Sequence, residues 1–292
     1  MNTEDWLNQA TSQLEAADIG TARLDCLVLL GDLTDKNRAW LLAHSEFELS
    51  SQQLAKLNKK VAQRVEHTPL AYIRGFTEFY GRKFAITPDV LEPRPESETM
   101  IELLKDIVAR HETRDSSRKN SQLETRDPRL SVIDVGTGSG ALAITAKLEL
   151  PKTEVTAIDI DPKCLKIAKQ NAKTLNAEIV FFQGDLLTPL GSRVYNLPSV
   201  ILANLPYVPR SWRINRAAEQ EPRIAIDGGS DGIDVYRRLF DQIKELSGPP
   251  RYVLTEALPP THKNLAQLAR LAGYRQLKSQ DFVQVFCRIS NS

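Results

Sequence analysis

Val132-Ile133-Asp134-Val135-Gly136-Thr137-Gly138-Ser139-Gly140-Ala141 decides how this 292-residue chain is read. Val132 to Val135 has the composition of a buried strand. Glycines then alternate with small hydroxyl residues, and Ala141-Leu142-Ala143-Ile144 opens a helix. A chain that turns sharply from strand to helix and admits a ligand to its backbone needs residues without side chains. The helix N-terminus behind such a turn supplies free N–H donors. Gly136 to Ala141 also satisfies the dinucleotide pattern G-x-G-x-x-G/A, so the loop alone does not choose between a nicotinamide cofactor and another nucleoside-bearing one.

Outward from that loop the pattern is βαβ. Strands are predicted at Ser131–Val135, Glu154–Asp159, Ile179–Gln183, Val200–Asn204 and Arg251–Thr255, with helices between, as at Leu142–Leu148 and Pro162–Leu175. Apolar strands alternating with helices imply a parallel sheet covered on both faces. Tyr274–Lys278 and Phe282–Ile289 read as an edge hairpin that brings the sheet to seven strands. The second strand ends in Asp159, on the order of 20 residues past the glycines, where a carboxylate can accept from ribose hydroxyls. Asp161 competes for that role, or caps the helix that starts at Pro162. The third strand ends in Gly184-Asp185-Leu186. There Asp185 can accept from an adenine amino group and Leu186 can pack on the ring, or the segment is an ordinary polar turn.

The fourth strand ends in Asn204-Leu205-Pro206-Tyr207. Nicotinamide chemistry has no need of this tetrapeptide, whereas methyl transfer to a conjugated nitrogen does. The lone pair of an amide or aromatic amine is delocalised, and a site helps by accepting hydrogen bonds from both N–H groups. The Asn204 side-chain oxygen and the Leu205 carbonyl are the candidate acceptors. Pro206 stiffens the turn, and Tyr207 offers a flat face to a planar group.

Residues 1–70 read as a small helical bundle, with Leu7, Leu14 and Ala17, then Leu24, Leu27, Val28 and Leu30, then Leu54, Leu57, Val61 and Val65 at helical spacing. It is either a packing module or a docking module for a macromolecular substrate. Residues 71–98 read as a β-hairpin and linker, from Tyr72, Phe76, Phe79, Tyr80 and Phe84 around Gly75 and Gly81. Residues 99–292 form the large α/β domain. Within it 111–129 is a polar run of mixed charge, read as a solvated loop.

The net charge is +1, so charge alone calls for no polyanion partner. Cys26, Cys164 and Cys287 are sparse and odd in number, as in a reducing compartment, and they and the scattered histidines have no metal-ligand spacing. No signal peptide or membrane span is read, and a cytoplasmic address is expected.

Several further stretches carry a resemblance. They are Pro69-Leu70-Ala71-Tyr72-Ile73 with Gly75, Glu78-Phe79-Tyr80-Gly81, Pro93-Arg94-Pro95-Glu96-Ser97-Glu98, and Glu221-Pro222 with Asp227-Gly228-Gly229, Asp231-Gly232 and Tyr236-Arg237. Together and in order with the glycine loop and Asn204–Tyr207, they make the chain resemble the bacterial release-factor glutamine N5-methyltransferases, the HemK or PrmC family. The resemblance implies a Rossmann-like class I methyltransferase fold with a small N-terminal helical domain that helps hold the substrate. It implies S-adenosyl-L-methionine as cofactor, contacted by Gly136, Thr137, Gly138, Ser139, Gly140, Asp159, Leu186 and Asn204, to which the third strand end adds Asp185 as a candidate. The implied substrate is the glutamine of the Gly-Gly-Gln loop of peptide chain release factors, held by Asn204, Leu205, Pro206 and Tyr207, with no nucleic acid required.

Leu205 departs from the family's usual Asn-Pro-Pro-Tyr; the acceptor carbonyl survives and backbone stiffness falls. Asn-Leu-Pro-Tyr also occurs in ribosomal RNA adenine dimethyltransferases, whose glycine motif lies near the chain start. The segment Thr255-Glu256-Ala257-Leu258-Pro259-Pro260 departs from the family pattern too. The ribosomal-protein glutamine methyltransferases, a nucleic-acid adenine methyltransferase and a cofactor-binding docking protein without catalysis are the alternatives.

Overall fold

The computed structural model describes residues 1–116, 130–194 and 199–289. The elements are α1 (Thr3–Ala16), α2 (Ala22–Thr34), α3 (Arg38–Ala43), α4 (Ser51–Val65), α5 (Leu70–Arg74), β1 (Phe76–Phe79), β2 (Arg82–Ala85), α6 (Glu98–Ser116), β3 (Ser131–Val135) and α7 (Ala141–Glu149). They continue as β4 (Glu154–Asp159), α8 (Pro162–Thr174), β5 (Val180–Gln183), β6 (Ser199–Ala203), α9 (Asp234–Glu245), β7 (Tyr252–Glu256), α10 (His262–Leu271), β8 (Tyr274–Gln280) and β9 (Val283–Arg288). The chain groups into two units, Met1–Phe76 with Ile214–Gln220, and Thr77–Arg213 with Glu221–Ser292.

In the first unit, polar side chains start the helices. Asn2 accepts from the Asp5 N–H, and Ser50 and Gln53 cap α4 reciprocally. Trp6, Leu14, Leu29, Leu30 and Leu57 are buried together. Leu24 was expected in this core but is exposed, because the inner face of α2 is taken by Cys26, Leu27, Leu29 and Leu30. Arg64 Nε meets Asp25 Oδ2 at 2.7 Å with both side chains largely buried, and this ties α4 to α2. Tyr72 is helical rather than part of the hairpin, since α5 follows Pro69 and stops at Gly75, whose φ is +80°. Residues 214–220, assigned from sequence to the large domain, group with the helices: Gln220 Nε2 donates to the Glu66 carbonyl at 2.6 Å, and Arg216 Nη1 lies 3.2 Å from His67 Nε2.

In the second unit, β1 and β2 turn through Tyr80 and Gly81, both with positive φ, as a tight two-residue hairpin requires. The Tyr80 N–H donates to Glu98 Oε1 at 2.6 Å. Helix α6 extends to Ser116, beyond the start of the expected polar loop; 117–129 lie outside the described residues.

The main sheet has seven strands in the order β5-β4-β3-β6-β7-β9-β8. β5 through β7 run parallel; β9 is antiparallel to β7 and forms the closing hairpin with β8. Successive residues serve opposite faces. Val132 packs with Leu104, Leu142 and Ala143, whereas Ile133 and Val135 pack with Tyr236, Phe240 and Leu265. β3 sends its next connection to β4 on one side and has β6 on the other, which opens a crevice at the carboxyl ends of these strands. Register aligns those ends: Val135 pairs with Ile158 and with Ala203, and Asp159 with Gln183. The loops after β3, β4, β5 and β6 therefore leave the sheet side by side.

Candidate active site

Gly136, Gly138 and Gly140 have φ of +75°, +56° and +82°, a region that side-chain-bearing residues rarely adopt. A Cβ on Gly140 would lie 2.9 Å from Ile144 Cδ1 and 3.1 Å from Ala168 Cβ, so this glycine also sets the close packing of α7 on α8. Asp134 braces the loop from inside. Its carboxylate accepts from Thr137 Oγ1 at 2.6 Å and from the Ala143 N–H at 3.1 Å. Burial pushes its pKa up to about 7, against the opposing pull of those two bonds.

Asp159 ends β4 beside the glycines. Its carboxylate accepts from the Gly138 N–H at 2.8 Å and from the Asp161 N–H at 2.9 Å. Burial raises its pKa, and the two backbone bonds hold it back. Asp161 accepts from the Lys163 N–H at 2.8 Å and so caps α8. The cap and the strand-end carboxylate are thus separate jobs done by neighbouring aspartates.

A cavity opens on this edge of the sheet. Its walls include Gly136, Gly138, Asp159, Ile160, Asp185, Leu186, Asn204, Leu205 and Pro206. Thr137, Ser139, Gly140 and Tyr207 are not among the walls. The Thr137 hydroxyl is turned inward to Asp134, and the Ser139 carbonyl accepts from Asn171 Nδ2 at 2.9 Å. Leu186 has φ of +53°, an uncommon conformation for leucine, held where its buried side chain faces the cavity. Asp185 is ion-paired to Arg238, which also lines the cavity and which no local sequence pattern marks. Cys164 is a further wall residue; burial pushes its thiol up to about 12, so it carries no thiolate at neutral pH.

At the acceptor end Asn204 Nδ2 donates to Ser97 Oγ at 3.0 Å. The Tyr207 hydroxyl donates to Glu256 Oε1 at 3.2 Å. Glu256, at the end of β7, is 1% exposed. Burial raises its pKa, and the neighbouring Ser97, Tyr207 and Asn204 oppose that rise. Its Oε1 is the atom that the Tyr207 hydroxyl reaches. With its N–H₂ turned to Ser97, the Asn204 amide has its oxygen left for a ligand.

The Leu205 N–H donates to the Tyr236 hydroxyl at 3.2 Å, and that hydroxyl in turn faces the Ala203 and Glu256 carbonyls. Arg94 Nη2 reaches Glu221 Oε2 at 2.5 Å and so joins two of the quoted stretches. Ser97, Glu256, Tyr236, Arg238 and the Arg94–Glu221 pair had no role in the sequence reading. Ser97, Arg94, Glu221, Tyr236 and Glu256 stood in the quoted stretches, but without a partner.

Comparison with known proteins follows the same division of the chain. Residues 5–75 match the family described as PrmC N-terminal domain, and residues 80–205 match Ribosomal protein L11 methyltransferase (PrmA). The chain is 36% identical over 260 residues to a release factor glutamine methyltransferase of Koribacter versatilis, covering 88% of this chain and 86% of that one. It is 34% identical over 273 residues to a release factor glutamine methyltransferase of Moorella thermoacetica, covering 91% and 89%. Among solved structures, the N-terminal domain of human METTL16 in complex with SAH shares the fold, with a TM-score of 0.50 at 14% identity over 91% of this chain and 95% of that one. The glycine loop, the Asn204–Tyr207 turn and the N-terminal helices thus sit in one known setting, and the chain belongs to the release factor glutamine methyltransferase family.

Proposed function

We propose that the chain transfers the methyl group of S-adenosyl-L-methionine to the side-chain amide nitrogen, N5, of the glutamine in the Gly-Gly-Gln loop of peptide chain release factors. The observation that carries this reading is the register that sets the glycine loop after β3 beside Asn204 and Leu205 after β6, within one cavity. Family membership supplies the substrate.

The residues present fit the cofactor. Gly136 and Gly138 leave backbone exposed to the cavity without side chains, Asp159 brings a carboxylate suited to ribose hydroxyls, and Ile160 and Leu186 offer apolar surface to a base. Asp185 and Arg238 stand nearby as a polar pair. Thr137, Ser139 and Gly140 act from behind the cavity wall by fixing the loop. When bound, S-adenosyl-L-methionine supplies an electrophilic methyl group on a sulfonium.

The protein's part is to hold the amide. Asn204 Oδ1 and the Leu205 carbonyl accept its two N–H groups, which orients the nitrogen and favours positive charge on it. Ser97 keeps the Asn204 amide from flipping, and Pro206 stiffens the turn. Tyr207, anchored to Glu256 by its hydroxyl, backs the planar group. The helical unit Met1–Phe76 is the docking surface for the folded factor. No nucleic acid is needed, and a substrate of translation places the enzyme in the cytoplasm. Among the described residues no helix is long and apolar enough to cross a membrane.

The test is methyl transfer from labelled S-adenosyl-L-methionine to release factor, to a factor with the loop glutamine replaced, to ribosomal protein and to RNA. Label is expected on the first alone. Label on RNA with none on release factor would refute the assignment. Asn204→Ala is expected to lower turnover about 100-fold or more while cofactor affinity persists. A collapse of affinity with unchanged turnover at saturation would reassign Asn204 to cofactor binding alone.

A further inference from the structure

We infer that Tyr236 is a positioning residue for methyl transfer, acting through Leu205, and that with Gly136 it does for Leu205 what a proline ring does at that position in Asn-Pro-Pro-Tyr. This rests on the reading of the Leu205 carbonyl as an acceptor for the substrate amide.

A proline at 205 would fix φ near −65° by its ring and would bring no N–H. Leucine frees φ and adds an N–H donor. Leu205 is 3% exposed, so that donor needs a partner inside the protein. It finds the hydroxyl of Tyr236, itself wholly buried, at 3.2 Å. A phenol has one proton to give, and here that proton faces two carbonyls: Ala203, at 3.0 Å, and Glu256. One oxygen thus grips the backbone immediately before and immediately after Asn204. It also ties both to the end of β7, where the Glu256 side chain accepts from the Tyr207 hydroxyl. The two groups proposed to accept the amide, Asn204 Oδ1 and the carbonyl of Leu205, are therefore spaced by a clamp on their own backbone.

The Leu205 side chain makes the second tie. A Cβ on Gly136 would lie 2.9 Å from Leu205 Cδ2, so the leucine methyl occupies the space over the first glycine of the cofactor loop. A proline ring closes back on its own nitrogen and sends no branched end there. Leu205 thus connects the loop that presents the methyl donor to the loop that presents its acceptor. Tyr236 stands on α9, 31 residues further along the chain, where no local pattern links it to the tetrapeptide.

The experiment compares the full-length chain with Tyr236→Phe, Leu205→Pro and the double variant. It measures kcat and KM for release factor at saturating cofactor, and hydrogen exchange at the Leu205 amide. In the wild-type background, Tyr236→Phe is expected to lower kcat about tenfold with KM little changed, and to release the Leu205 amide to exchange. Leu205→Pro has no N–H to satisfy and its φ is set by its ring, so it serves as the second background, and there Tyr236→Phe is expected to cost less than about threefold relative to Leu205→Pro alone. A purely structural role for Tyr236 would give the same factor in both backgrounds, and that result overturns the inference. Should Tyr236→Phe fold only when Leu205→Pro is present, the rescue supports it. If no methyl reaches release factor at all, the proposed substrate fails first. The exchange measurement then decides: a Leu205 amide protected in wild type and released in Tyr236→Phe upholds the clamp, and one that exchanges alike in both removes it.

Discussion

Around the buried Glu256 carboxylate the partners lie far apart in the chain: Tyr207, 49 residues away, donates to it, and Ser97 holds the Asn204 amide. Ser97 is 107 residues from Asn204 and reaches its amide at 3.0 Å. Ser97→Ala removes the partner that fixes which end of that amide faces the substrate. Turnover is expected to fall about tenfold while S-adenosylhomocysteine affinity holds; calorimetry showing affinity lost by the same factor would refute this. Asp134 carries part of the pH dependence. Its carboxyl is raised from 3.8 to about 7 in the fold. Between those values the folded chain holds a proton that the unfolded chain has released, so stability falls as pH rises through that window. Asp134→Asn keeps an acceptor for Thr137 and Ala143 and removes the titration. The stability lost between about pH 4 and about pH 7, followed by urea denaturation, is expected to shrink in the variant; parallel curves for the two proteins would clear Asp134. The glycine loop and Asn204–Tyr207 were legible beforehand because each performs its chemistry within a few consecutive residues. Ser97, Glu256, Tyr236 and Arg238 were not, because each acts on a residue brought to it by the fold.

The elements tell the same story through their register. The strand order from β3 to β7 could be read from the sequence because each strand is a short apolar run, closed in β3 to β6 by glycine, aspartate or asparagine. What could not be read is that β3 and β6 are neighbours, since their pairing skips two intervening strands. That adjacency puts donor and acceptor loops together. The contact of α7 with α8 depends on Gly140. Gly140→Ala must place a methyl group 3.1 Å from Ala168 Cβ while holding φ at +82°. A loss of about 1–3 kcal/mol in urea denaturation is expected, together with weaker cofactor binding, and an unchanged midpoint would show that the loop has slack. The misread start of the hairpin has a local cause: Pro69 and Gly75 bracket a single helical turn, and aromatic residues at that spacing mimic an alternating strand.

Over the whole molecule, the helical unit has a core of its own and the sheet unit has two, and the two units are expected to unfold as separate cooperative bodies. Trp6 and Trp40 lie in the helical unit and Trp212 in the sheet unit. In a Trp212→Phe variant, tryptophan fluorescence reports the helices, and far-ultraviolet dichroism reports both units. Saturating S-adenosylhomocysteine is expected to raise the dichroism midpoint more than the fluorescence midpoint, because a ligand stabilises the body that binds it. Equal shifts would mean that the two units unfold as one. The excursion of residues 214–220 into the helical unit has a consequence for ancestry and for engineering. The peptide chain passes between the units three times, so the N-terminal helices are not a detachable cassette. Recombination at a single breakpoint near residue 76 would leave Arg216 and Gln220 facing a stranger in place of His67 and Glu66. Relatives that exchange the helical unit, in nature or in a chimera, must exchange this short internal stretch with it, and the two segments will be inherited together although 137 residues of the other unit separate them.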